Sequence, residues 1–142
     1  MSDIEAYAAK AREWLQSVAR EFGGAARVGL SDDENLALGR RYLKARFDAG
    51  YAGINWPTEY GGQGLPVTLS QAVTEFQSSA NMAFSMYGGL TMGATAALMV
   101  HGKPEQKKMF VPKMVAGEWT GTMNLTEPHC GTDLGLLRTK AV

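Results

Sequence analysis

Apolar residues recur at helical spacing in the first part of the chain. They step by four, three, four, three and four positions, with charged residues between them: Ile4, Ala8, Ala11, Leu15, Val18 and Phe22. This period predicts an amphipathic helix, which Gly23 and Gly24 should end. Ser31 and Glu34 have the spacing of a capping box and predict a second helix, in which Leu36 should face inward.

Glycine, proline and a second capping-box pattern divide the middle of the chain. Residues 51–66, "YAGINWPTEYGGQGLP", contain too much glycine and proline for a helix and predict a long connection that is functional or tightly packed. The pattern that begins at Thr68 predicts a third helix. A fourth helix should run from about Asn81 to His101. Pro104 suits the first turn of a fifth, which Pro112 should kink or end.

Aromatic and β-branched residues follow Gly117. The segment Trp119–Thr126 therefore predicts a short strand. Because a lone strand leaves its edges unpaired, we expect the architecture to continue beyond this chain. The predicted fold class is all-α, a helical bundle of about five helices with one short terminal β-strand.

Composition and charge exclude several classes of function. The chain has 142 residues, of which 45% are apolar and 20% charged, as in ordinary globular proteins. Fourteen basic residues balance fourteen acidic ones, which gives no electrostatic case for nucleic acid. The single cysteine, Cys130, and the charged N-terminus favour a cytoplasmic protein. Two histidines and one cysteine have no metal-site spacing, so we expect no metal.

An uncharged stretch runs from Gln77 to Gly102. Its length would span a bilayer, and Gly89 and Gly93 have the spacing of a transmembrane helix pair. Its polar residues and the lack of a flanking basic cluster favour instead a helix buried on all sides in a helical domain, with no membrane span. The composition leaves both interpretations open.

The last motif, "NLTEPHCGTDL", combines turn formers with polar side chains. Thr126 would offer a hydroxyl at a strand tip, and Pro128 turns the chain away. Gly131 permits close approach of a bulky ligand, and Thr132 adds donors suited to a phosphate oxygen. Asp133 suits a turn cap better than a ligand contact. The alternative, a turn without a ligand, remains open at this point.

Three motifs resemble one family. "LTEPHCGTD" resembles the acyl-CoA dehydrogenase signature, "WPTEYGGQG" its loop between early helices, and "HGKPEQKKMFVPKMVAGEW" its helix leading into the first strand of the middle domain. The end of the chain is especially similar to the long branch that includes 3-methylmercaptopropionyl-CoA dehydrogenases. The resemblance implies an N-terminal helical domain over residues 1–118 and the start of a β-domain over residues 119–142.

The resemblance also implies an activity. The family oxidises an acyl-CoA to its trans-2-enoyl form with FAD and passes electrons to an electron-transfer flavoprotein, usually as a homo-oligomer. The positions that should contact FAD are Met123, Leu125, Thr126, Gly131 and Thr132. The positions that should contact the acyl-CoA are Thr132, Ser85, Gly88, Gly89 and Met92. For the last four, close packing against another helix is the alternative that remains open.

The resemblance places the catalytic glutamate of the family beyond this chain. Neither Glu59 nor Glu127 should replace it, because both belong to structural motifs, so no catalytic residue is assigned. We therefore expect the chain alone to be inactive. A non-catalytic helical binding module that reuses the fold is the alternative.

Overall fold

The computed structural model describes residues 3–140, and most of this range is helical. Its α-helices are α1 (Asp3–Phe22), α2 (Asp32–Asp48), α3 (Val67–Ala80), α4 (Met82–His101) and α5 (Pro104–Val115). Short 3-10 turns lie at Gly24–Arg27, Thr58–Tyr60 and Leu134–Leu136. The all-α fold class and the five helices predicted from the sequence are confirmed for the described residues.

Capping residues fix two of the helix starts as predicted. Glu34 accepts a hydrogen bond from the Ser31 amide at 2.8 Å, and the Glu34 amide donates to the Ser31 hydroxyl at 3.4 Å. Asn81 caps α4 by accepting from the Phe84 amide at 3.3 Å. The Asn81 side chain also donates to the Phe22 carbonyl at 2.9 Å, which ties the start of α4 to the end of α1.

The predicted start of the third helix is wrong. This helix begins at Val67 rather than Thr68, with Pro66 at its N-cap and no side-chain cap, because the fixed φ of proline already directs the chain into the helix. Pro112 lies inside α5 and does not end it, since the helix continues to Val115, and a kink at Pro112 stays a prediction. Burial of Val111 and Val115 on either side of the proline offsets its one lost hydrogen bond.

The predicted strand over Trp119–Thr126 does not form. Residues 120–126 belong to no ladder, and an isolated bridge joins Glu127 to Cys130. A strand needs a neighbour to receive its backbone hydrogen bonds, and residues 3–140 contain none. The inward position assigned to Leu36 is also wrong: it is 45% exposed, and α2 buries Leu38 and Tyr42 instead.

The core consists of two clusters. One joins α1, the long loop and α3 through Ala11, Ile54, Leu69 and Val73. The other joins α1, α2 and α4 through Phe22, Leu38, Tyr42 and Phe84. In the second cluster the rings of Tyr42 and Phe84 stack at 5.2 Å, and burial raises the pKa of Tyr42 to about 12. Tyr42 therefore remains neutral at physiological pH.

The long loop folds tightly against the helices, as predicted. The Gln63 side chain donates to the carbonyls of Gly50 at 2.6 Å and Ala52 at 3.1 Å. Gly53 has φ +57°, and a Cβ atom built there would lie 2.9 Å from Cγ1 of Val115. Only glycine satisfies both conditions without strain. The loop thereby holds Trp56 and its neighbours in place beside α5.

Helix α4 buries one side only, so the expectation of a helix buried on all sides is wrong. Its inner face includes Phe84, Thr91 and Thr95. The outer face is an exposed apolar stripe of Met82, Met86, Gly89, Gly93, Ala96 and Val100, which step by four and three residues. We call these six positions the α4 stripe. No described element of the chain covers it.

Candidate substrate cavity and flavin turn

A cavity that is open to solvent at its mouth lies between α4 and the elements packed against it. Ser85, Gly88, Gly89 and Met92, the four α4 positions expected to contact the acyl group, all line it. The structure therefore brings these predicted residues together at one site. Whether they contact a substrate stays a prediction.

The walls of the cavity are mixed in character. Apolar side chains come from the long loop, α2 and α5, and they include Leu43, Ile54, Trp56, Met114 and Val115. Polar side chains are Arg46, Asn55, Ser70, Thr74, Gln77, Ser85 and Thr91. Within the described residues, Arg46 is the one charged group among them. A mainly apolar cavity with a few placed polar groups is typical of small-molecule sites.

Two adjacent glycines of α4 differ in their surroundings. A Cβ atom built on Gly88 would lie 2.5 Å from Nη1 of Arg46, so the guanidinium rests against the bare backbone there. A Cβ atom built on Gly89 would meet nothing within 4 Å. Within residues 3–140, Gly89 therefore borders open space, and its role in a pocket stays a prediction.

The segment after α5 is extended and contacts α4 through Gly121. The Gly121 amide donates to the Thr91 hydroxyl at 3.1 Å, and that hydroxyl donates to the Tyr87 carbonyl at 2.7 Å. A Cβ atom on Gly121 would lie 2.5 Å from Cβ of Ala94, so a larger residue would push the segment away from α4. Gly121 thus fixes where the extended segment leaves the helices.

The residues expected to contact FAD follow this segment. Met123 is 68% exposed and Leu125 37% exposed, and Thr126, Gly131 and Thr132 are exposed as well. Between residues 122 and 126, the described structure has no backbone hydrogen bond to another part of the chain. A Cβ atom on Gly131 would meet only Cγ2 of Thr126, at 4.0 Å. This stretch therefore presents open backbone and a hydroxyl, and none of its residues lines the cavity.

A tight turn follows Thr126, as Pro128 predicted. Glu127 and Cys130 exchange both backbone hydrogen bonds across it, at 2.9 and 3.2 Å. The Glu127 carboxylate accepts from the amides of Arg138 and Thr139, which anchors the following tail. Hydrogen bonds from Thr139, and then from the Arg138 amide, hold the pKa of Glu127 below its usual range. The Glu127 carboxylate thus joins the turn to the tail, and the expectation that it is not a catalytic base stays a prediction.

Other side chains of the turn also form hydrogen bonds with the residues that follow it. Asp133 accepts from the Gly135 amide at 3.1 Å, which is the predicted turn cap. Ligand atoms of Glu127, His129 and Cys130 lie within 4.8 Å of one another, a grouping that sequence spacing did not reveal. The carboxylate already receives two backbone amides, and His129 Nε2 lies 3.0 Å from the Leu136 carbonyl. The absence of a metal stays a prediction.

The chain matches a known protein family over most of its length. The model of the family described as "Acyl-CoA dehydrogenase, N-terminal domain" matches residues 3–118.

The chain belongs to the acyl-CoA dehydrogenase family.

Individual relatives agree with this assignment. The 3-methylmercaptopropionyl-CoA dehydrogenase of Ruegeria pomeroyi is 44% identical over 95 residues, which are 67% of this chain and 16% of that protein. Acyl-CoA dehydrogenase FadE26 of Mycobacterium tuberculosis is 37% identical over 133 residues, which are 92% of this chain and 30% of that protein. The chain thus spans less than a third of either acyl-CoA dehydrogenase.

Solved structures show the same fold. An acyl-CoA dehydrogenase from Bacillus anthracis, determined in complex with FAD, superposes with a TM-score of 0.74 and 25% identity. The match covers 94% of this chain and 22% of that one. The family expected from the three motifs is confirmed, and FAD is a cofactor found in it. The domain division at residue 118 stays a prediction.

Sequence reasoning missed most of the cavity wall, including the polar residues Arg46 and Gln77. Arg46 follows Leu38 and Tyr42 at steps of four residues, so helical spacing alone places it on the inward face of α2. Because Arg46 shares a helix face with these two apolar residues, the spacing could have predicted that its side chain faces inward. Gln77 gave no such signal, because a glutamine near the end of a helix is normally exposed.

Proposed function

We propose that this chain is the N-terminal part of an FAD-dependent acyl-CoA dehydrogenase, which oxidises an acyl-CoA thioester to the trans-2-enoyl-CoA and passes electrons to an electron-transfer flavoprotein. The observation that carries the proposal is the cavity along α4, which gathers Ser85, Gly88, Gly89 and Met92. These are the positions that the family resemblance assigned to acyl contact. The acyl group would enter this cavity.

The exposed stretch after Gly121 fits one edge of the cofactor. Leu125 and Thr126 offer free backbone groups and a hydroxyl, and Gly131 leaves room for a bulky group beside Thr132. FAD, when bound, would take up the hydride that leaves the β-carbon of the acyl group. These few exposed contacts do not enclose a cofactor, so the remaining contacts and the catalytic base would come from other parts of the protein.

The α4 stripe supports the same proposal. Met82 and Met86 are 62% and 53% exposed, and the helix between residues 82 and 101 carries no Asp, Glu, Lys or Arg. By length and composition alone, this helix could cross a membrane. In the structure, 17% of its most apolar 18-residue stretch is buried. We propose that the rest of the dehydrogenase, or a second subunit of a homo-oligomer, covers this stripe rather than lipid. We further propose a cytoplasmic location.

Flavin binding separates this proposal from a non-catalytic helical module. The chain alone and the complete protein are each mixed with FAD and passed through gel filtration, while absorbance near the flavin maximum is recorded. We expect the complete protein to retain FAD and to form enoyl-CoA with a chemical electron acceptor. We expect the chain alone to bind FAD weakly or not at all, because a few polar contacts must offset roughly 4–15 kcal/mol of lost freedom. A complete protein without flavin and without turnover would support the module instead.

A further inference from the structure

An arginine reaches the substrate cavity from α2. Its Nε donates to the Tyr51 carbonyl at 2.8 Å, which uses one of the five N–H donors of the Arg46 guanidinium. Nη1 lies against the Cα of Gly88, where any side chain would overlap it. The end of the guanidinium that is not bound to Tyr51 therefore lies beside an α4 residue of the cavity wall.

Arg46 has no counter-ion in the described part of the chain. No carboxylate of residues 3–140 lies within ion-pair distance of it, and no Asp or Glu lines the cavity. Burial lowers the pKa of Arg46. Because an arginine stays protonated, the cavity keeps a positive charge. Buried charges are normally paired, so the missing partner calls for an explanation.

A second donor in the same wall also lacks a partner. Gln77 of α3 is 3% exposed, and its Nε2 makes no hydrogen bond in the described structure. Leaving a buried amide donor unpaired is costly, and native proteins do so rarely. Gln77 lies between this cavity and a smaller one beside α1, and it contributes to the lining of both. Gln77 and Arg46 thus bring two sets of donors without a partner to the wall of one cavity.

We propose that the cavity selects acyl groups that carry a carboxylate at the end distant from the thioester. The carboxylate would accept hydrogen bonds from the free Nη groups of Arg46, with Gln77 supplying a further donor. A planar guanidinium suits a carboxylate because two parallel N–H···O bonds form at once. This inference rests on the proposed function, since it names the substrate class of the same cavity. Arg46 is then a residue that determines specificity rather than a catalytic one.

Turnover of matched substrates by the complete, flavin-loaded enzyme tests the proposal. Five-carbon acyl-CoAs with and without a terminal carboxylate are compared by kcat/KM in the wild type, Arg46→Met and Arg46→Lys. We expect the wild type to prefer the carboxylated substrate, and Arg46→Met to reduce that preference by about ten-fold or more, since a site that loses a hydrogen-bonding partner discriminates less. Arg46→Lys should keep part of the preference, because it keeps the charge without the planar fork.

Two further variants show whether a loss of preference comes from the Arg46 side chain or from a general change in the structure. Arg40→Met removes an exposed arginine from the same helix and should leave the preference as it is in the wild type. Gly88→Ala retains Arg46 but displaces its Nη1, so it should lower the preference in the same direction. Thermal melting and flavin content of every variant show whether the fold is retained. If Arg46→Met unfolds, Gly88→Ala and Arg46→Lys decide the question.

The outcomes distinguish the substrate class from the proposed function. A wild-type enzyme that prefers the neutral acyl-CoA, or a preference unaffected by Arg46→Met and Gly88→Ala, would overturn the role of Arg46 while leaving the dehydrogenase intact. A folded, flavin-loaded enzyme that oxidises neither substrate nor any other acyl-CoA would overturn the proposed function itself.

Discussion

Helices α1 and α4 have the same length and opposite patterns. Each spans 20 residues, but α1 has an apolar and a charged face, whereas α4 carries no Asp, Glu, Lys or Arg. In α1 the apolar face is buried at Ala11, Leu15 and Phe22. In α4 apolar residues lie on both faces, and only one is covered within this chain. The charged face of α1 therefore suits contact with solvent. The exposed apolar face of α4 suits contact with another protein surface.

The sharpest test of the two faces of α4 uses one residue from each. Phe84 is 1% exposed and contacts Tyr42 and Tyr87, whereas Met86 is 53% exposed. Phe84→Ala should lower the free energy of unfolding of this chain by about 3–5 kcal/mol, because it leaves a cavity in an aromatic cluster. Met86→Ala should change it by less than about 0.5 kcal/mol. Urea denaturation measures both, and similar losses in the two variants would show that the outer face is already packed.

The second test concerns the glycine that attaches the extended segment to α4. Gly121→Ala should lower the free energy of unfolding by about 1–3 kcal/mol, because its Cβ would overlap Ala94. Gly131→Ala is the matched control, since its Cβ would have open space. Thermal melting of the two variants measures the difference. Equal melting temperatures would mean that the segment does not rest on α4.

The third test asks whether the open side of α4 receives substrate. If Gly89 lines the acyl pocket, Gly89→Leu in the complete enzyme should abolish turnover of long acyl-CoAs before short ones and change the melting temperature little, because no atom of residues 3–140 lies within 4 Å of the new Cβ. Steady-state kinetics over a series of chain lengths measures it. Uniform loss of activity with a large fall in melting temperature would instead indicate that another helix packs at Gly89.

The smallest expected effect is local and depends on pH. Hydrogen bonds from Thr139 and Arg138 hold the folded pKa of Glu127 below its ordinary value of 4.5. The stabilisation they give to the tail is therefore present above that ordinary value and is lost as the pH falls through the lower, folded pKa. Amide NMR shifts of Arg138 and Thr139 should follow this titration. Glu127→Gln should remove it, and an unchanged titration in that variant would assign it to another group.

Local patterns predicted the parts of the fold that depend on near neighbours. The apolar stripe of α1 and the capping box at Ser31 need only residues within one or two turns, and both are present. The capping pattern at Thr68 failed because Pro66, two residues earlier, had already begun the helix. The strand after Trp119 failed because strand formation depends on a partner, and no residue pattern within the segment supplies one.

The candidate site, like the fold, was only partly predictable from the sequence. The spacing of Ser85, Gly88 and Met92 predicted a shared face, and these residues do line one cavity, while their contact with a substrate stays a prediction. The opposing wall was not predictable, because Arg46 and Gln77 reach the cavity from helices distant in sequence. Their missing partners become visible only when the packing of α2 and α3 against α4 is known.

The α4 stripe also has a consequence for how the protein is made in the cell. A ribosome adds about 5–20 residues per second, so an N-terminal helical domain can fold while later parts are still being synthesised. During that interval Met82, Met86 and Val100 would face the crowded cell interior uncovered. The newly made domain should therefore be a ligand for chaperones that recognise apolar surface. Under the proposal that the rest of the dehydrogenase or a second subunit covers the stripe, release from the chaperone would depend on that contact.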